Sequence, residues 1–345
     1  MTPSGPWRRR WWLGLGLVVL LVLGLWAMRL AGLGPPNPAA RLDCSAPVVD
    51  SSRYPGMVWV PAGSFNFGDT VYREEQPVQN TAVNGFWMDR TEVTNAQFRR
   101  FVEATGYRTV AERAVDPGQH PGLPAAMQQP GAVVFKNPTD LRGGGNPGQW
   151  WQYVPGANWR HPGGPSTSIE GQDQLPVVAV AWEDAQAYAR WAGRALPTER
   201  EWEWAATGGV LQASGATDQP AQANTWQGLF PLNNLASDGF VGLAPVGCFA
   251  ANGFGLHDMV GNVWELTADA YTDSHDPRDN VPPDQPSAPR RGVRASPQRH
   301  VIKGGSFLCA PNYCMRYRPG ARQAQEDDLA TSHLGFRTIL RAPGP

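Results

Sequence analysis

Two cysteines stand close together near the end of the chain, Cys309 and Cys314, separated only by Ala310-Pro311-Asn312-Tyr313. A disulfide closing so short a loop removes little entropy from the unfolded chain, so it is a weak staple. As thiolates, the two sulfurs suit a soft monovalent metal such as Cu(I), whereas a structural zinc would want four ligands. No cysteine or histidine nearby in sequence completes a zinc set, and the six histidines (120, 161, 257, 275, 300 and 333) include no i, i+4 pair. Arg316 and Arg318 follow directly, and positive charge beside a thiol favours the thiolate. With Cys44 and Cys248 the four cysteines allow three disulfide connectivities. Two structural disulfides and a metal-binding thiol pair are both compatible with the spacing.

Elements that would position such a pair can be placed from local signals. Thr94 and Gln97 form a capping box before Phe98, Phe101 and Val102, and Gly106 ends that helix. From Trp182 to Ala192, Ala185, Tyr188, Ala189 and Ala192 make a small-residue face stopped by Gly193. Thr198 and Glu201 cap a third helix carrying Trp202, Ala205 and Ala206, closed by Gly208-Gly209. Short strands are expected at Met57–Val60, Gly85–Asp89, Val177–Val180, Val301–Phe307 and Gly335–Leu340. Between Thr109 and Leu175 the chain is rich in Pro and Gly but contains Trp150, Trp151, Tyr153 and Trp159. That many aromatic rings predict a packed segment rather than a solvated linker.

Composition narrows the class. The 345 residues include 29 basic and 30 acidic ones, a net charge of −1, which argues against a nucleic-acid partner. Charged residues make up 17%, against roughly 25% in an average soluble domain. With 39 Gly, 33 Pro and 15 Trp, more Trp than Phe or Tyr, bundles, coiled coils and simple doubly wound sheets are excluded. The expectation is one irregular, loop-rich α+β domain over residues 47–341. Before it, Arg8, Arg9 and Arg10 precede an apolar run from Trp11 to Met28. The expectation there is a basic cytoplasmic end at 1–10, a transmembrane signal anchor at 11–30 and a Pro-rich linker at 31–46. The domain would then be membrane-anchored and extracytoplasmic, periplasmic or extracellular. A cleaved signal peptide is the competing reading, with no clear A-x-A site to support it.

Several stretches resemble the formylglycine-generating enzyme (sulfatase-modifying factor) family: Val58-Trp59-Val60-Pro61-Ala62-Gly63-Ser64-Phe65, "TEVTNAQFRRFV" at 91–102, "WAGRALPTEREWEWAA" at 191–206, "NGFGLHDMVGNVWELT" at 252–267 and "LGFR" at 334–337. These mark the superfamily, whose scaffold is C-type-lectin-like. More discriminating are "GANWRHPGGP" at 156–165 and "GGSFLCAPNYCMRYRPGAR" at 304–322. The latter is similar to the family's active-site motif, with both cysteines present. The resemblance implies that Cys309 and Cys314 are the catalytic, copper-binding pair and that Ser306 orients oxygen or water beside them. It implies oxidation by O2, with a thiol reductant, of a cysteine in a sulfatase's C-x-P-x-R segment to Cα-formylglycine. Tyr313 and Trp264 match family positions near the cleft, where packing is the plainer role.

The resemblance also implies two Ca2+ sites. The first maps onto the Asn224 side chain, the Thr225 carbonyl, the Asp238 side chain and the Phe240 carbonyl. The second maps onto Asp258, the carbonyls of Gly261 and Val263, and Glu265. Oxygen-rich turns of this kind suit Ca2+, and Asx turns are the plainer reading. Asp258 stands where Asn is common in the family, and Ala189 where animal relatives carry a disulfide cysteine. The resemblance gives Cys44 and Cys248 no role, and a bridge between them is a conjecture. Three other functions compete. A non-catalytic or repurposed binding domain on the same scaffold typically lacks the cysteine pair. A sulfoxide synthase would need an iron motif that is absent from the sequence, and a thiol–disulfide oxidoreductase would need C-x-x-C.

Overall fold

A computed structural model describes residue 44 and residues 53–115, 122–138, 145–210, 215–276 and 298–345. In chain order the strands are β1 (Met57–Val60), β2 (Gly63–Phe67), β3 (Gln79–Val83), β4 (Phe86–Asp89), β5 (Gly131–Phe135), β6 (Trp151–Pro155), β7 (Trp264–Ala270), β8 (Arg299–Lys303), β9 (Arg322–Glu326), β10 (Leu334–Gly335) and β11 (Ile339–Leu340). Helix α1 (Asn95–Thr105) lies between β4 and β5, while α2 (Trp182–Trp191) and α3 (Glu199–Thr207) lie between β6 and β7. The largest sheet has the order β10-β7-β8-β9, a second the order β1-β4-β11, and β2–β3 and β5–β6 form two hairpins. Mixed helix and sheet content is what the composition predicts. Residues 42–345 form one compact unit.

Each helix begins where its side chains satisfy the first free N–H groups. Thr94 Oγ1 accepts from the Gln97 N–H while Gln97 Oε1 accepts from the Thr94 N–H. Thr198 and Glu201 repeat the arrangement at α3. Ala181 has no capping side chain, so Asp184 reaches back and accepts its N–H at 2.8 Å. Gly106 and Gly208, both left-handed, end α1 and α3. One core cluster joins α1, α2 and the β7–β10 region through Phe98, Phe101, Tyr188, Trp159, Trp264 and Phe336. Another packs Trp202 and Trp204 of α3 against Phe65, Phe86 and Met88. Trp150 and Trp159 are buried, so the described part of the 109–175 stretch is packed as predicted.

Three strand expectations change. Val177–Val180 is held by isolated bridges only, because Ala179 at φ 55° breaks the pleat. The segment expected as one strand at 335–340 is two strands in different sheets. Between them Arg337 and Thr338 send their side chains to the buried carboxylates Glu265 and Asp89. Strand β8 stops at Lys303, because Gly304 and Gly305 adopt φ 93° and 74°. The expected membrane anchor at 11–30 lies outside the described residues. Among the described residues no helix is long and apolar enough to cross a membrane. The longest, α1, has 11 residues, where a span needs about 20. The membrane-anchored, extracytoplasmic placement is therefore corrected and not carried further.

Candidate active site

The Cys309–Cys314 loop leaves β8 through the two left-handed glycines. A Cβ on Gly305 would lie 2.9 Å from the Arg316 carbonyl and 3.3 Å from Cys309 Sγ, so the backbone approaches the sulfur as only glycine permits. The Ser306 carbonyl then accepts the Cys309 N–H at 2.9 Å, and the Ala310 carbonyl accepts both Tyr313 and Cys314 N–H groups. This double turn returns the chain and brings the sulfurs together; Cys309 and Cys314 are bonded as a disulfide. Both cysteines are buried. Beside them Tyr313 is 41% exposed, stacked on Phe230 at 4.0 Å, with its hydroxyl accepting from the Trp151 indole at 3.3 Å. Asn312 ties the loop to Phe230, accepting its N–H and donating to its carbonyl.

Ser306 is fully buried, and its Oγ accepts the Leu308 N–H at 3.3 Å, so its visible work is to cap the turn into Cys309. Trp264 sits in the core, as the packing role requires. Arg316 and Arg318 do not serve the thiols as the sequence suggests. Arg316 pairs with Glu74, and buried Arg318 pairs with Asp69 and Glu75 while its Nε donates to the Met315 carbonyl at 3.0 Å. Their charges are matched by carboxylates of the 69–75 segment, and together they clamp the chain just after Cys314. Arg322 extends the clamp to α3 by binding both oxygens of Glu199. Burial opposes ionisation of Glu199, yet Lys303, His275 and Arg322 around it hold its carboxyl down to about 2. Cys44 and Cys248 form the other disulfide.

The two oxygen-rich turns lie next to each other. Asp238 accepts the N–H groups of Thr225 (3.0 Å) and Phe240 (3.1 Å), so three of the four residues of the first set meet, with Asn224 adjoining. This is also Asx-turn geometry. In the second set, Glu265 receives two bonds from Arg337 and one from the Trp202 indole, and Asp258 accepts the Gly247 N–H at 2.6 Å. Asn262 links the two sets, accepting from Asn224 and donating to Glu92 at 2.9 Å.

Glu92 is the residue the sequence reading missed. It is fully buried, and its Oε2 has no hydrogen-bond partner; the Arg337 guanidinium stands 4.0 Å away. Burial, and then the neighbouring Asp258 charge, hold the Glu92 carboxyl well above the usual range, with Arg337 opposing. Three carboxylates thus face one guanidinium. Among the described residues no group of three His, Cys, Asp or Glu side chains forms a metal cage, so a cation there would rest on carbonyl oxygens as well. The only sequence signal was a carboxylate two residues before a helix cap, within "TEVTN".

The model of the sulfatase-modifying factor enzyme 1-like domain matches residues 45–342. The chain belongs to that family. Among sulfatase-modifying factor relatives, the formylglycine-generating enzyme of Mycobacterium tuberculosis is 51% identical over 294 residues, covering 82% of this chain and 97% of that protein. The formylglycine-generating enzyme of Mus musculus is 42% identical over 291 residues, covering 81% and 74%. A mouse relative named as an inactive Cα-formylglycine-generating enzyme 2 also matches, at 35% identity over 88% of this chain and 92% of its own. Among solved structures, PvdO from Pseudomonas aeruginosa aligns with a TM-score of 0.54 and 23% identity, covering 82% of this chain and 93% of PvdO. At that identity it speaks to the fold alone.

Proposed function

We propose that this protein oxidises a cysteine within a C-x-P-x-R segment of a sulfatase to Cα-formylglycine. The observation that carries the reading is the Cys309–Cys314 pair. A loop built on two obligatory glycines holds two buried sulfurs in contact beside a half-exposed tyrosine. The reaction balances as one substrate thiol, one O2 and two reductant thiols giving one aldehyde, one hydrogen sulfide, one disulfide and one water. Electrons from the substrate Cβ–H and from the reductant together reduce O2.

In the bonded form the sulfurs have no thiolate to offer, so the thiol reductant first opens the pair. The reduced donor set is two soft sulfurs, joined among the described residues by no third histidine, cysteine or carboxylate, which fits Cu(I). When bound there, Cu(I) supplies the activation of O2 toward the substrate thiolate. Burial of the cysteines excludes water and holds both sulfurs in one geometry. Tyr313 and Trp151 shape the approach from the exposed side, and Ser306 would orient oxygen or water behind the pair. Ca2+ at Asn224, Thr225, Asp238 and Phe240, and at Asp258, Gly261, Val263 and Glu265, would be structural. The Glu92 oxygen that lacks a hydrogen bond supports the second of these sites.

A non-catalytic binding domain is the second reading, favoured by the bonded state of the pair and by the inactive relative. The two separate in a Cu(I) titration of reduced protein against a competing chelator. The oxidase reading expects one Cu(I) per chain, lost in Cys309→Ser and in Cys314→Ser. No uptake by the reduced wild type would leave the binding-domain reading standing.

A further inference from the structure

Among the described residues, seven large hydrophobic side chains are exposed, and five of them, Leu229, Leu232, Leu235, Val241 and Tyr313, belong to the active-site loop and the segment packed on it. We infer that the leucines of 229–235, continued by Val241, form a ledge that docks an apolar stretch of extended substrate polypeptide flanking the modified cysteine. The inference rests on the oxidase reading and adds to it a binding surface outside the cysteine site.

The ledge is built rather than frayed. Leu232 and Asn233 both donate to the Leu229 carbonyl, Leu235 N–H donates to the Gln227 carbonyl, and the Trp226 indole donates to the Asn233 carbonyl at 3.1 Å. The Leu235 side chain packs so close to Gly228 that a Cβ there would stand 3.3 Å from its Cγ. Leu229, Leu235 and Val241 nevertheless remain 59%, 65% and 67% exposed. Exposed apolar side chains that adjoin one another form the kind of patch that takes a partner.

The ledge is continuous with the site. Phe230, between Leu229 and the rest of the turn, stacks on Tyr313 and exchanges two hydrogen bonds with Asn312. Trp226 N–H donates to the Cys309 carbonyl at 3.0 Å. The ledge therefore adjoins the loop that carries the pair, within reach of residues flanking a cysteine placed there. Charge defines the occupant. From 219 to 257 the sequence has one acidic residue, Asp238, and no Lys or Arg, so this segment itself offers almost no charge to a partner. A folded globule hides its apolar residues, whereas an extended chain presents them on alternate positions. An extended apolar segment in the same chain as the cysteine matches on both counts, and it would raise the effective concentration of the motif at the pair.

The test compares two peptides: a short one carrying C-x-P-x-R alone, and one of about 30 residues with an apolar flank. Wild-type protein and Leu229→Ser/Leu235→Ser are assayed side by side, with Leu232→Ser/Val241→Ser as a second variant. The expectation is a KM for the long peptide at least about tenfold below that for the short one in the wild type. Covering two leucines is worth that much. Both variants should lose the difference while kcat and the short-peptide KM stay unchanged. Direct binding of the long peptide, with its cysteine replaced by serine, follows the same ranking by fluorescence anisotropy. Failure of the oxidase reading therefore shows as bound but unconverted peptide. Equal wild-type affinity for both peptides, or variants that weaken both alike, would overturn the ledge. So would a wild-type dimer in light scattering that becomes monomeric in the variants, since a second copy would then be the occupant.

Discussion

Glu92→Gln should lose its advantage, or become destabilising, once calcium is added. In the calcium-free protein Glu92 is a buried carboxylate with one oxygen lacking a hydrogen bond, facing Asp258 and Glu265 with Arg337 as the compensating charge. An unsatisfied buried polar group costs about 1–3 kcal/mol, so removing its charge should leave the chelated protein as stable or more stable by up to about 2 kcal/mol. On the calcium reading proposed above, the carboxylate would become a ligand once Ca2+ is added. Calcium at about a hundredfold excess over its Kd stabilises by about 2.7 kcal/mol, and a tenfold loss of affinity removes about 1.4 of that. At about 2 °C per kcal/mol for a domain of this size, the wild type should gain about 5 °C on calcium and the variant about half as much. Scanning calorimetry with and without chelator reads both. The pH trend supplies a second sign. A carboxyl held above 4.5 in the fold makes the chelated wild type lose stability as pH rises from 4.5 through its folded pKa, and the Glu92→Gln variant should flatten that limb. If chelation leaves the wild-type Tm unmoved, or the variant is equally destabilised in both conditions, the reasoning about this cluster is wrong.

Other perturbations probe the frame around the pair. Arg318→Ala removes the guanidinium that binds both Asp69 and Glu75 and should cost about 3–5 kcal/mol, read as a lower urea midpoint at unchanged m; a loss under about 1 kcal/mol would deny the clamp. Cys248→Ser opens a bridge spanning 204 residues, Cys309→Ser one spanning 5. Chain entropy puts these at about 5 and about 2 kcal/mol, so thermal melts should rank Cys248→Ser well below Cys309→Ser, and the reverse order would make the short bridge the structural one. His333 is held neutral by burial, its pKa pushed down to about 3, with Trp151 packed over it at 4.6 Å. Its contribution should be intact above pH 6.5 and be lost as pH falls from 6.5 toward 3. His333→Asn should flatten that acid limb in pH-dependent melts, and an unchanged slope would refute it.

Local chemistry was legible where it acts over a few residues. The capping boxes at Thr94 and Thr198 and the left-handed Gly106 and Gly208 define their helices without tertiary help. Strand β9, Arg-Gln-Ala-Gln-Glu, shows no alternation, because Arg322 is buried for its bond to Glu199 rather than for apolarity. The break at 336–338 is likewise invisible, since only the fold supplies Glu265 and Asp89 as partners. In the site, the Cys309–Cys314 spacing could be read directly, whereas the Gly304-Gly305 hinge was hidden inside the strand expected at 301–307. The purpose of Arg316 and Arg318 could not be read either, because their carboxylates come from more than 240 positions away in the chain. Glu92 was missed for the same reason: its meaning depends on Asp258, Glu265 and Arg337, which approach it only in the folded chain.

The central claim is the conversion of a peptidyl cysteine, and mass spectrometry tests it directly. Reduced full-length protein, loaded with Cu(I), is incubated with a C-x-P-x-R peptide, a thiol reductant and O2. The account predicts that the peptide cysteine loses its sulfur and gains an aldehyde that reacts with a hydrazide probe, and that Cys309→Ser and Cys314→Ser yield none. A peptide recovered with its sulfur intact, from copper-loaded and correctly folded protein, would contradict it.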